Sequence, residues 1–495
     1  MINLDQIRRD VDNFSGDMDR EYYLNSAGLK DELNVSAVFA KYQHLFDKRL
    51  IAEVQELRKK SRGEEDKRKL RYLQAFFLEY YLGNVVKEFT DEAETMQTTG
   101  TVEVHKEKIP FRLAQVKMTN EPDRAKREAL YRARNSFIDK INVPLLKRMQ
   151  KLHQTAKKFG YANYLALFKD TKTIDFQALE KIMQDFIKRT ESVYVKRMDE
   201  ELKAKVDVSL EEAEKHDVSF FFRAKEFDKY FPKNRMLITL RKLLTGIGIC
   251  LDDQKNIQLD VEERPKKSPR AFCAPIKVPE DVKLVIMPQG GHDDYAALFH
   301  ETGHAEHFAS VTPNLSVEYK WLGDNSVTES YAFLLEYLLT DENWLEQNIK
   351  MAETTEYLRF LALYKLLYLR SYGAKLSYEI KLHTASSLEG MDQMHKKIGE
   401  KVLKYRHPAN HYLITVDDAF YSAQYLQAWI FEAQLRRFLK REFGNEWFNS
   451  QEAGKYLINL WANGQKYNIT ELAKTTGYNG LDVEPLMSSL LDYVS

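Results

Sequence analysis

Cysteine is almost missing from this chain. Cys250 and Cys273 are the only two in 495 residues. Two thiols cannot frame a disulfide scaffold, and these lack the spacing of a zinc knuckle. Net charge is missing as well, because Lys+Arg and Asp+Glu both number 74. That balance gives no argument for nucleic acid or an anionic membrane as partner, and the basic run Lys266 to Arg270 reads as solvated surface. No stretch of about 18 apolar residues is present, so no membrane span is expected. The opening MINLDQIRRDVDNF alternates charge with isolated apolar residues and does not read as a secretory leader. A reducing, cytoplasmic location is the expectation. Glycine (20) and proline (12) are sparse for the length. No fixed-period repeat or low-complexity linker divides the chain.

What remains is an ordinary soluble composition, 44% hydrophobic and 30% charged, in a chain long enough for a sizeable core. Apolar residues recur at three- and four-residue spacing from Val35 to Leu57, Leu70 to Phe89, Pro144 to Phe159, Leu179 to Met198, Tyr357 to Leu376 and Tyr421 to Phe438. Each stretch predicts an amphipathic helix. The charged run Lys59 to Lys69 reads as an exposed helix face or loop. Strand signals are few. Thr101 to Val104 followed by Phe111 to Val116 suggests a hairpin, and Val282 to Met287, closed by Pro288 and Gly290-Gly291, is the best strand. A mainly helical fold with one small sheet follows.

The strongest motif comes immediately after that strand. Residues 299–310 read FHETGHAEHFAS. On a helix, His300 and His304 fall on one face about one turn apart, a separation at which two imidazoles bind one zinc ion. Glu301 projects beside them, where it can act as base on a water at the open side of the metal. A catalytic zinc needs a third protein ligand. The metzincin pattern would place Gly at 307 and His at 310; this chain has His307 and Ser310. A glutamate on a following helix is the other common solution, from Glu318, Glu329 and Glu336. Glu329 lies in NSVTESYAFLLEYLL, a helix pattern starting near Ser326. Ser326 to Glu329 also fits a capping box, but beside the upstream histidines Glu329 reads better as the ligand.

HDDYAALFHETGHAEH followed by SVTES resembles the thimet oligopeptidase and oligoendopeptidase F family of zinc peptidases (gluzincins), with angiotensin-converting enzyme a more distant relative. RAFCAPIKVPEDVKLVIMP is similar to that family's strand segment, with Cys273 where the family often has Cys. KKFGYANYLALF is similar to its upstream helix–turn element and Tyr421-Ser-Ala-Gln-Tyr425 to its tyrosine helix. Matches scatter from about residue 120 to 480 and are densest from Arg270 to Glu336. The resemblance implies a zincin-like helical ellipsoid with a deep central channel, the small sheet and zinc helix on its floor. It implies one domain over 1–495, two lobes around the channel, with a metal-site core at about 270–340 and a tyrosine helix at 421–438. It departs at Ala428, where the family commonly has a further tyrosine.

The expected chemistry is hydrolysis of short oligopeptides with one Zn2+ per chain, held by His300, His304 and Glu329. Glu301 takes the water's proton and returns it to the leaving amine. The resemblance gives Tyr421 or Tyr425 the role of hydroxyl donor to the oxyanion, with His411 or His407 as alternatives. Asp293, two turns before His300, is expected either to support it or to cap the helix. His307 reads as structural, and Gly303 as a point where another helix approaches. The strand Val282 to Met287 either offers an edge for an extended peptide or is interior. A carboxypeptidase or dipeptidyl carboxypeptidase on the same fold would need a cation or amide to hold the substrate carboxylate, for which Lys404, Arg406 and Gln434 are candidates. A non-catalytic helical binding protein is the rival from another class; the intact ligand set and base oppose it. Oligomeric state, cleavage preference and physiological substrate have no signature in the sequence.

Overall fold

The computed structural model describes residues 2–223, 225–352 and 354–494. Helix dominates, and the strands among the described residues form two small sheets. β1 (Thr101–Val104) and β2 (Glu107–Pro110) pair antiparallel. β3 (Ile257–Asp260), β4 (Phe272–Lys277) and β5 (Asp281–Val285) form a sheet of order β3-β5-β4. Within it β3 runs parallel and β4 antiparallel to β5. No helix among the described residues is long and apolar enough to cross a membrane.

The periodic segments sit inside longer helices: Glu64–Thr99, Arg124–Lys158, Phe176–Val206, Thr354–Thr384 and Tyr421–Phe443. Pro144, expected at a helix start, lies in the interior of Arg124–Lys158. Val35 to Leu57 is not one helix. It breaks into Val35–Lys41, a turn of 3-10 helix at Gln43–Phe46, and Lys48–Lys60. Asp47, in extended conformation, ends one run and caps the next by accepting from the Arg49 N–H. The break lets Phe39, Tyr42 and Phe46 close around the buried Phe14 with ring centroids 5.1 to 5.8 Å away. The apolar periodicity is real, but burial around one ring bends the backbone that carries it.

The expected hairpin is corrected in the same way. Its second strand is β2, not Phe111 to Val116, because His105 and Lys106 (φ 52° and 71°) turn the chain in two residues. Phe111–Asn120 is helical and buries Phe111, Ala114 and Met118, a helical spacing.

The chain divides into two compact units. Unit 1 comprises residues 1–78, 226–358 and 427–486; unit 2 comprises 79–225, 359–426 and 487–495. In unit 1, β5 is the central strand, with Val282, Leu284 and Val285 fully buried. Its expected role as a free edge for peptide pairing is therefore excluded, since β3 and β4 occupy both sides. The outer strand β4 receives the N-terminal helix Leu4–Ser26: a Cβ on Gly16 would lie 2.5 Å from the Ile276 carbonyl oxygen, so only glycine permits this approach. Unit 2 is organised around the helix Arg124–Lys158. There the fully buried Asp217 accepts from Arg124 and Arg127, tying the short helix Lys215–Phe221 to the long one. Burial pushes the Asp217 carboxyl up, but hydrogen bonds from His216, Arg124 and the Glu214 N–H outweigh it and hold the group far below its ordinary range.

Candidate metal centre

After β5 the chain passes through Gly290 and Gly291, both at φ 93°, a conformation that favours glycine. It then enters the helix His292–Ser310. Asp294, rather than Asp293, secures this entry by accepting from the Gly290 N–H at 2.8 Å. Asp293 is nearly fully exposed and pairs with His292, so it does not serve His300.

His300 and His304 lie one turn apart with ring centroids 4.9 Å from each other. The facing helix Asn325–Glu336 brings Glu329 between them. Its Oε2 lies 3.4 Å from His300 Nε2 and 3.7 Å from His304 Nε2. One ligand atom from each of the three residues falls within 4.8 Å of the others. Donors at about 2.1 Å from a tetrahedral zinc ion are about 3.4 Å apart, close to the two distances that Glu329 makes with the imidazoles.

The close approach depends on Gly303. A Cβ there would stand 2.5 Å from Ala332 Cα and 2.6 Å from the Tyr331 carbonyl oxygen. The expected helix-on-helix role of Gly303 is thus what seats Glu329. The capping alternative for Glu329 fails: the helix is capped by Asp324, which accepts from the Ser326 N–H, and Ser326 lies inside the helix with its hydroxyl on Gln427.

The outer nitrogens are also fixed. His300 Nδ1 is 2.9 Å from Glu336 Oε2, and His304 Nδ1 is 2.8 Å from Thr328 Oγ1. With a donor hydrogen on each Nδ1, Nε2 is the nitrogen that faces Glu329: His304 presents a lone pair there, and a metal would take the place of the proton that His300 shares with Glu329. Sequence reasoning counted Glu336 only as a rival ligand and missed Thr328. The signal was present: Thr328 and Glu336 share the helix of Glu329. Glu318, the third candidate, is fully buried and taken by Arg8 at 2.7 Å.

The electrostatics are those of a buried acidic nest. Burial opposes a charge on His300, but the hydrogen bonds that it donates to the Glu329 and Glu336 carboxylates outweigh it and push this imidazole up to about 10. His304 lacks such a direct bond, and burial takes it down to about 4. Burial also pushes the Glu301 carboxyl up to about 7, against the pull of His300 and of the Cys273 N–H, which donates to Glu301 Oε2 at 2.8 Å. β4 therefore orients the Glu301 carboxyl. Cys273 matters here through its backbone; burial pushes its thiol well above the ordinary range. His307 is fully buried, stacked on Phe308 and edge-on to Tyr331, and burial holds it neutral, down to about 3. It is structural, as expected.

Tyr421, Tyr425, His407 and His411 belong to unit 2. Tyr421 and Tyr425 are half-buried, with rings 4.9 Å apart, and Tyr425 meets Tyr372 at 6.0 Å. Ala419 and Phe420, both at positive φ, precede them, and Ala428 is fully buried. His411 is 5% exposed and has both ring nitrogens engaged, Nε2 with Asn135 Oδ1 at 2.9 Å and Nδ1 with Lys215 Nζ at 3.3 Å. His407 lies over Gly399, where a Cβ would strike its ring at 2.3 Å. Of the candidates for a substrate carboxylate, Lys404 pairs with Glu191 at 3.0 Å and buried Gln434 donates to the Gly480 carbonyl at 2.9 Å. Arg406 is exposed, and its N–H donates to the Ala213 carbonyl.

A scan against protein-family models and a search of curated proteins return no match for this chain.

Proposed function

We propose that this chain is a zinc-dependent peptidase that hydrolyses short oligopeptides. The observation that carries the proposal is the convergence of His300, His304 and Glu329 into a triangle of zinc-donor spacing, with each imidazole's second nitrogen already bound and a carboxylate base on the same helix. A zinc ion held there would supply Lewis acidity and lower the pKa of a water from about 15.7 toward 7.

The residues of the chain supply the rest. Glu336 and Thr328 fix the two imidazole orientations before any ligand arrives, so little reorganisation is needed. Glu301 takes the proton of the attacking water and passes it to the leaving amine, so no covalent enzyme intermediate is required. The Cys273 N–H holds one oxygen of Glu301 and fixes the direction in which the other points. On the strength of the resemblance alone, Tyr421 or Tyr425 donates its hydroxyl to the developing oxyanion.

The test is digestion of a mixed library of short peptides by wild type, by wild type with chelator, and by Glu301→Gln. Wild type is expected to cut, the chelator to stop it, and Glu301→Gln to lose about 10²–10⁴ in rate with its metal retained. Cleavage by Glu301→Gln at the wild-type rate would remove Glu301 from the reaction. Chelator-resistant cleavage would remove the metal.

A further inference from the structure

The tyrosine helix Tyr421–Phe443 is entered through a reversal that its own residues do not favour. Ala419 and Phe420 both lie in the left-handed region, at φ 54° and 55°. For a bulky residue such as phenylalanine that conformation is an outlier, and it persists only where the surroundings over-determine it. Part of the cause is burial. Phe420 is fully buried in unit 2, its ring centroid 4.6 Å from that of Phe176 and 4.9 Å from that of His383. Tyr164 accepts from the Ala419 N–H at 3.3 Å, and Arg148 pairs with Asp418 at 2.5 Å.

Packing holds the middle of the reversal, and a carboxylate holds its two ends. Glu379, on the helix Thr354–Thr384, is fully buried. Its Oε1 accepts from the Asp417 N–H at 2.9 Å and its Oε2 from the Ser422 hydroxyl at 2.5 Å. One side chain thus ties a residue before the reversal to the residue after Tyr421. Lys375, one turn earlier on the same helix, pairs with Asp417 at 2.7 Å and stands 4.0 Å from Glu379. Burial pushes the Glu379 carboxyl up to about 7, although Lys375, Ser422 and the Asp417 N–H pull it down. A carboxylate buried against such a penalty is weak evidence for stability. What it supplies here is direction. Ser422 lies between Tyr421 and Tyr425 in the chain, so the bond to its hydroxyl sets the rotation of the first helical turn and with it the face that carries both rings. A second line of contact reaches the same pair. Lys375 lies over the Tyr372 ring at 5.5 Å, and that ring meets Tyr425 at 6.0 Å.

We propose that Glu379 is the positioning residue of the tyrosine pair: its two hydrogen bonds, one on each side of the reversal, aim Tyr421 and Tyr425 for donation to the oxyanion. The inference rests on the peptidase reading above, which gives one of those hydroxyls that role. Glu379 itself touches no substrate; it acts through Ser422 and the Asp417 backbone.

The test uses the zinc-loaded full chain and the library peptide that wild type cuts fastest. kcat and KM are measured for Glu379→Gln, Tyr421→Phe, Tyr425→Phe and the two double variants. Glu379→Gln is expected to lower kcat about tenfold or more at nearly constant KM, because a misaimed hydroxyl is missed only in the transition state. In the background of the tyrosine that donates, the same substitution is expected to add nothing, since the hydroxyl it aims is already gone. Ser422→Ala removes one of the two bonds and is expected to lower kcat in the same way by a smaller factor. It carries the test should Glu379→Gln not fold. A wild-type kcat in folded Glu379→Gln, or in Ser422→Ala where only that variant folds, would overturn the positioning role. So would an equal loss with and without each tyrosine hydroxyl, which marks a general structural effect. Wild type that cuts no library peptide would overturn the peptidase reading and this inference with it. Wild type that cuts while Glu379→Gln matches it would overturn this inference alone.

Discussion

Histidine does opposite work in the two units. In unit 1, His300 and His304 hand their Nδ1 atoms to Glu336 and Thr328 and turn their Nε2 atoms toward Glu329. In unit 2, His395, His407 and His411 crowd one another and Lys215. Burial with these positive neighbours pushes His407 down to about 2 and His395 to about 4. Burial is common to both clusters; the sign of the surrounding charge is not. An imidazole is prepared for a cation where acceptors fix its outer nitrogen and a carboxylate faces the inner one. Where a lysine faces the imidazole, the ring is kept neutral and can only accept.

The most drastic way to break the contrast is to remove one arm of the triangle. His304→Ala should reduce bound zinc from about one per chain to near none, read by elemental analysis of purified protein, because two donors do not make a structural or catalytic site. Full zinc in that variant would place the metal elsewhere. A subtler change spares the ligands. Thr328→Val removes the acceptor behind His304 at nearly constant volume and should weaken zinc about 10–100-fold in a competition titration with a chelating dye. Unchanged affinity would mean that the tautomer is set some other way.

Packing offers the next test. Gly303→Ala forces a methyl against the backbone of Ala332, so the helices must part. A cost of about 1–3 kcal/mol in denaturant melts is expected, together with weaker zinc binding. A stable variant with intact affinity would show that the two helices can separate without disturbing Glu329. The smallest effect lies in unit 2. The folded state depresses Lys215 from 10.5 to about 8. Below about pH 8 the folded protein therefore carries a disfavoured charge. That penalty is relieved as pH rises from about 8 toward 10.5, where the unfolded chain still holds its proton. Lys215→Met should melt slightly above wild type at pH 7, and the gap should close by about pH 10. A gap that widens with pH would reverse the sign of the cluster.

How much of this was legible in the sequence depended on how local the cause was. The helix content and the pair His300–His304 were readable because a helical period is a property of the chain itself, and four residues always return to the same face. The turn between Lys158 and the Asn163-capped helix Tyr164–Thr171 entered only through the resemblance, although its local causes, the cap and Gly160, lie within it. The break at Asp47 was not, because the Val35 to Leu57 pattern persists while Phe14, remote in sequence, dictates where the backbone bends.

The sequence by itself determined a helical protein with two imidazoles on one helical face and a carboxyl group projecting beside them. Only the tertiary structure decided that Glu329 faces the two imidazoles rather than capping its helix, since that required Asp324 to cap the helix and Gly303 to admit the close approach. It also decided that β5 lies inside its sheet and that His411 faces a lysine. Each of these depends on which distant segment packs against which. Spacing along a chain fixes angles within a helix but carries no record of what lies across from it.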